Sequence, residues 1–105
     1  MGKVTFIRAS GKAAVFENVA KPSLEALQAM VDGYIERVPN WDALAGEPCV
    51  VYCNEEGLID GLPVNHSATV MWRAELDDAG EPYSKDMATL HGDIVILTGD
   101  RDFLA

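Results

Sequence analysis

The chain reads as an α+β domain: a small, mainly antiparallel sheet in the order β-β-α-β-β-(α)-β, with helices on one face. Three observations predict this class. Short β-prone runs flank Ser10-Gly11-Lys12, the residues of a hairpin turn. One segment, 23–32, repeats its apolar residues at helical spacing, and two later runs, 49–53 and 93–98, are too short and too β-branched for helices. Strands that precede and follow a helix in this way give an antiparallel sheet with helices packed against it.

Val4-Thr5-Phe6-Ile7 and Ala14-Val15-Phe16 form the first two strands. Pro22-Ser23 then opens a helix whose apolar residues are Leu24, Leu27, Met30, Val31 and Tyr34. Ser23 is its expected N-cap, Glu25 favours the positive end of the helix dipole, and Gly33 is expected to close it in a left-handed conformation. Tyr34 to Val38 predicts a strand stopped by Pro39, and Asn40 to Pro48 a loop around Trp41. Cys49-Val50-Val51-Tyr52-Cys53 is apolar almost throughout, as in a central strand covered on both faces, and Asn54-Glu55-Glu56-Gly57 turns the chain after it. Residues 68–76 fit a short helix begun near Asn65 or Ser67, although Thr69, Val70 and Trp72 also suit a strand. Asp77 to Pro82 is polar and turn-forming, and Asp93 to Thr98 is a buried strand between two glycines.

With 105 residues, 49% hydrophobic and 24% charged, residues 1–105 are expected to form a single packed domain. No apolar run is long enough to span a bilayer, and no secretory signal is read at the start. Two cysteines spaced Cys49-x-x-x-Cys53 do not form a disulfide scaffold, so a cytoplasmic location is expected. On an extended strand they share a face about 13 Å apart, too far to bond each other. His66 and His91 belong to no ligand-spaced cluster, so neither a metal site nor a cofactor is expected.

Charge is uneven. Eight basic residues oppose seventeen acidic ones, a net −9. Residues 1–40 hold five basic and four acidic groups (+1), whereas residues 41–105 hold three basic and thirteen acidic (−10). Such a balance argues against direct binding of DNA or RNA phosphates, which rests on clustered Lys and Arg. It suits a basic protein partner, with Glu75, Asp77, Asp78 and Glu81 as the acidic partner surface.

Leu24-Glu25-Ala26-Leu27-Gln28 with Gly33-Tyr34-Ile35-Glu36, then Asn54 to Gly57, Gly61-Leu62-Pro63-Val64-Asn65, and Gly92 to Ile96 occur in one order along roughly Val4 to Gly99. In this the chain resembles the domain-of-unknown-function family DUF3846, small proteins of bacteria, phages and plasmids. It departs from the family pattern in the Asn40–Pro48 loop and in the acidic stretch before Gly92. The resemblance implies a mobile-element setting, in which small acidic proteins act as accessory or host-defence-countering factors; it supplies no reaction.

The candidate chemistry is sparse. Glu55 and Glu56 are adjacent and face apart on an extended chain, a poor acid–base pair. No phosphate cradle, Ser-His-Asp order or nucleophile elbow is present, and no enzymatic activity is expected. Asn54-Glu55-Glu56-Gly57 and Gly61–Asn65 are first of all turn sequences, with Asn65 capping the next segment. A second reading brings the two loops to one sheet edge, where Tyr34, Asn54, Glu55 and Asn65 bind a small molecule or nucleotide signal. The leading expectation is a non-enzymatic protein that binds a host protein, such as a nucleic-acid-binding one, by nucleic-acid mimicry in the host cytoplasm. A symmetric homodimer through edge strands, with Asp93–Thr98 as a weakly charged candidate, is also expected.

Overall fold

The computed structural model describes residues 1–105. Its strands are β1 (Gly2–Ile7), β2 (Ala13–Val19), β3 (Ile35–Arg37), β4 (Ala43–Leu44), β5 (Glu47–Asn54) and β6 (Ile94–Gly99). The helices are α1 (Leu24–Val31), α2 (His66–Asp78) and α3 (Arg101–Leu104). All strand pairs are antiparallel, in the order β2-β1-β6-β5-β3, with β4 folded back on β5. The α+β class therefore holds, and no helix is long and apolar enough to cross a membrane.

β6 determines how the layers form. Its residues Ile94, Val95, Ile96 and Leu97 are all fully buried, and alternate side chains on a strand point to opposite faces. Ile94 and Ile96 join Ile7, Val51, Ala68, Trp72 and Leu76 in a core beneath α2. Val95 and Leu97 join Val4, Leu27, Val31 and Phe103 in a second core beneath α1 and α3. The helices thus cover both faces of the sheet, which corrects the expectation of one covered face. A strand with no polar side requires cover on both sides. β6 is also central, so Asp93–Thr98 is no edge and cannot carry a dimer contact.

α1 begins as its sequence dictates, with the Ser23 hydroxyl accepting from the Ala26 N–H at 3.1 Å. It ends differently. Asp32, not Gly33, adopts the left-handed conformation at φ 59°, which a short polar side chain tolerates. Gly33 is needed for space instead, since a Cβ there would lie 2.6 Å from the Asn54 amide nitrogen.

α2 runs the full span from His66 to Asp78, which settles the choice between helix and strand. Its end is a Schellman motif: the Gly80 N–H donates to Asp77 O, the Glu81 N–H donates to Leu76 O at 2.9 Å, and Gly80 has φ 68°. The Trp72 indole N–H donates to Pro39 O at 2.8 Å and pins α2 to the end of β3. Two short elements interrupt the expected order. β4 lies within the Asn40–Pro48 loop and returns through Ala45 and Gly46, both at positive φ. α3, capped by the Asp100 carboxylate, seats Phe103 in the α1-side core.

Candidate functional site

Asn54 and Asn65 are structural in this fold. Asn54, 7% exposed, donates its amide N–H groups to Val31 O and Asp32 O, both at 3.1 Å. Its carbonyl accepts from the Glu56 N–H at 2.8 Å. It thus satisfies the C-terminal carbonyls of α1 and closes the turn after β5. Asn65, fully buried, donates to Ile7 O at 2.9 Å and Gly92 O at 3.0 Å while accepting from the Ala68 N–H at 3.0 Å as the cap of α2. Both N–H donors of each amide are used within the fold, and each carbonyl already accepts one backbone N–H. Their donors therefore serve the turn and the cap and are not free for a ligand. The turn and cap readings are the ones that stand.

Tyr34, Asn54 and Glu55 are neighbours, since the Glu55 N–H donates to Tyr34 O at 2.9 Å. Asn65 stands apart, between β1 and the segment before β6, so the two loops do not present one polar mouth. Tyr34 is exposed beside the turn and lines neither of the two clefts described below. Glu55 does line one, a crevice of about 230 Å³ bounded also by Glu36, Cys53, Leu58, Met87 and His91. His91 donates from Nδ1 to Leu62 O at 3.0 Å, because a carbonyl can only accept. Burial, and after it the charge of Glu36, pushes the Cys53 thiol up to about 11. Cys49 is raised to about 11 by burial and then by Glu75 and Asp42. Both thiols are protonated at neutral pH and are poor nucleophiles. No group of three or more His, Cys, Asp or Glu side chains is placed to hold a metal ion.

The acidic residues form a different kind of surface. Asp77, Asp78 and Glu81 are exposed and Glu75 is half-buried, all on the last turn of α2 or its cap. The ion pairs of the molecule are Arg8–Asp93 at 3.6 Å and Arg37–Asp42 at 3.4 Å, so none of these four carboxylates has a cationic partner. Arg73, the cation on the same helix, is engaged elsewhere. Its guanidinium donates to Ala88 O and Lys85 O, each at 3.0 Å, and to the Thr89 hydroxyl at 2.9 Å, fastening residues 84–89 to α2. Beside the acids lies an apolar cleft of about 490 Å³ lined by Pro39, Trp72, Leu76, Pro82, Tyr83 and Met87. Desolvation, and then the charge of Asp77, raises the Tyr83 hydroxyl above its ordinary range, which marks Tyr83 and Asp77 as neighbours.

The roles of Arg73 and Tyr83 and the exposure of Leu58 (70%), Ile59 (84%) and Met87 (81%) went unread in the sequence. Leu58-Ile59 inside an acidic turn was the one local signal, an apolar pair with no strand or helix to bury it.

A family model, a domain of unknown function (DUF3846), matches residues 3–104. No curated protein and no solved structure matches the chain.

Proposed function

The chain belongs to the DUF3846 family over residues 3–104, and on that premise we propose that it is a non-enzymatic accessory or host-defence-countering protein of a phage or other mobile element. It binds a host protein in the host cytoplasm through the acidic face around the end of α2. The observation that carries this reading is that Asp77, Asp78 and Glu81 are exposed, have no cationic partner and stand on a hydrogen-bonded helix cap. Carboxylates held on a rigid frame act as a fixed negative field toward a basic groove, where they take the place of phosphates. The competing reading, a binder of small molecules or nucleotide signals, uses Tyr34, Asn54, Glu55 and Asn65, and the N–H donors of both asparagines are engaged within the fold.

The test is capture of a partner from host lysate, followed by affinity measurements with the purified pair. Affinity should fall steeply between about 0.1 M and 1 M salt, as the screening length contracts from ~10 Å to ~3 Å. The partner's nucleic acid should compete. Replacing Glu75, Asp77, Asp78 and Glu81 by Gln or Asn should weaken binding mainly by slowing association. Retention of a small molecule with no protein, or a partner affinity indifferent to those four changes, would overturn the reading.

A further inference from the structure

The two edges of the sheet are guarded unequally. β3 has three residues, two of them charged (Glu36 and Arg37), and Pro39 comes soon after. Shortness, charge and proline are the features by which edge strands avoid pairing with other chains. β2 has seven residues, and Ala13-Ala14-Val15-Phe16 contains neither charge nor proline. Residues 13–18 are all exposed, so no helix of this chain buries either face of the strand; Val15 is 55% and Phe16 49% exposed.

The hairpin determines which backbone groups are free. The Arg8 N–H donates to Lys12 O, and the Gly11 N–H to Arg8 O. Arg8 and Lys12 are thus a hydrogen-bonded pair, and the register from Ile7↔Ala13 to Val4↔Phe16 makes Ala14 and Phe16 the next residues bonded to β1. Ala13 and Val15 direct their N–H and C=O groups away from the sheet. Beyond Phe16 the ladder shifts, with Glu17 and Asn18 together against Lys3 and Asn18 at φ 57°. This bulge turns the strand end and confines the flat open edge to residues 13–16.

We infer that β2 pairs antiparallel with β2 of a second copy of this chain, about a two-fold axis at Val15, so that two sheets become one. A two-fold axis normal to the sheet keeps every residue on its own face, so only residues of equal parity can stand opposite each other. The outward groups lie on odd residues, and Val15 is the odd residue at the middle of the strand. Val15 of each copy then exchanges both backbone bonds with its counterpart. Ala14 stands opposite the partner's Phe16, a small residue leaving room for a ring, and the contact occurs twice. Glu17 of one copy stands opposite the uncharged Ala13 of the other, so no like charges are opposed near the axis. The region is also the one part of the chain that is not acidic, residues 1–40 carrying +1. A copy therefore meets a copy without the repulsion that the remainder of the surface would impose.

This inference does not rest on the acidic-face reading, and salt separates the two. Acidic-face binding weakens with salt, whereas association of two chains of net −9 strengthens as their long-range repulsion is screened. The experiment is sedimentation equilibrium of the whole chain up to about 100 μM, in the range where a small interface holds. The expected result is a species of twice 11.4 kDa at the upper concentrations. Val15→Pro removes only an outward N–H, so it should keep the circular dichroism spectrum and weaken association at least tenfold. A cysteine pair reports the register independently of that variant. Val15→Cys places two sulfurs on residues about 5.5 Å apart, within disulfide range, whereas Ala13→Cys places them about 13 Å apart. On mild oxidation V15C should cross-link at least tenfold faster than A13C. A monomer at every concentration, a folded V15P with unchanged association, or A13C cross-linking as fast as V15C would overturn the proposal.

Discussion

Asn65 makes three hydrogen bonds from a fully buried side chain, two of them given and one received. Its loss should cost more than a helix cap. Asn65→Ala removes the cap and strands two carbonyls, so urea unfolding should show a loss of about 2–4 kcal/mol. Asn65→Asp separates the two roles. An aspartate caps as well as asparagine but cannot donate to Ile7 O and Gly92 O, so N65D should be at least as damaging as N65A; a mild effect would reduce the residue to a cap. The capping role was legible from Pro-Val-Asn-His-Ser before an apolar run, but the bond to Ile7, 58 residues away, has no local signature. The two cysteines give a pH prediction. Both are raised from 9.0 to about 11 in the fold, burial being the larger cause. Above pH 9 the unfolded chain loses these protons while the folded chain keeps them, so stability falls as pH rises from about 9 toward 11. Cys49→Ser and Cys53→Ser should flatten that decline, as urea titrations at stepped pH would reveal, and the native thiols should react slowly with alkylating reagents at neutral pH.

At the scale of elements, the segments read best are those whose periodicity runs long enough to be unambiguous. Leu27 and Val31 fall on the buried side of α1 as the spacing required. Leu27→Ala should therefore cost about 2–5 kcal/mol; a loss below about 1 kcal/mol would mean that α1 is not bearing on the core. α2 was equivocal because Thr69 and Val70 are β-branched, and packing rather than propensity decided it: Thr69 accepts from the Leu90 N–H at 2.9 Å, and Ala68, Trp72 and Leu76 sit on one buried face. β4 and α3, two and four residues long, are shorter than any repeat that could announce them. The mistaken single-sided packing has a similar origin. The sequence of β6 states that both its faces are apolar, but which helix covers which face depends on the crossing of segments far apart in the chain.

The molecule as a whole is electrically lopsided. The last 65 residues hold thirteen carboxylates and three cations, and only Asp42 and Asp93 of those carboxylates are in ion pairs. Uncompensated like charge disfavours the compact state through self-repulsion, and salt relieves it. The thermal midpoint should accordingly rise as sodium chloride increases from about 0.02 M to 0.5 M, with most of the gain in the lower part of the range where the screening length changes most. The quadruple change Glu75→Gln, Asp77→Asn, Asp78→Asn and Glu81→Gln alters net charge from −9 to −5 while sparing Leu76 and the backbone bonds of the Schellman motif. It should raise the midpoint at low salt and shrink the salt response. Partner binding should move the opposite way, since the same four carboxylates are the proposed contact. That opposition is what separates a binding surface from acidity kept for solubility: in the former, neutralisation gains stability and loses affinity together. Differential scanning fluorimetry across salt concentrations, run beside the partner-binding assay on the same two proteins, would reveal it. A quadruple variant that gains stability and keeps both its partner affinity and the salt dependence of that affinity would assign these carboxylates to solubility alone.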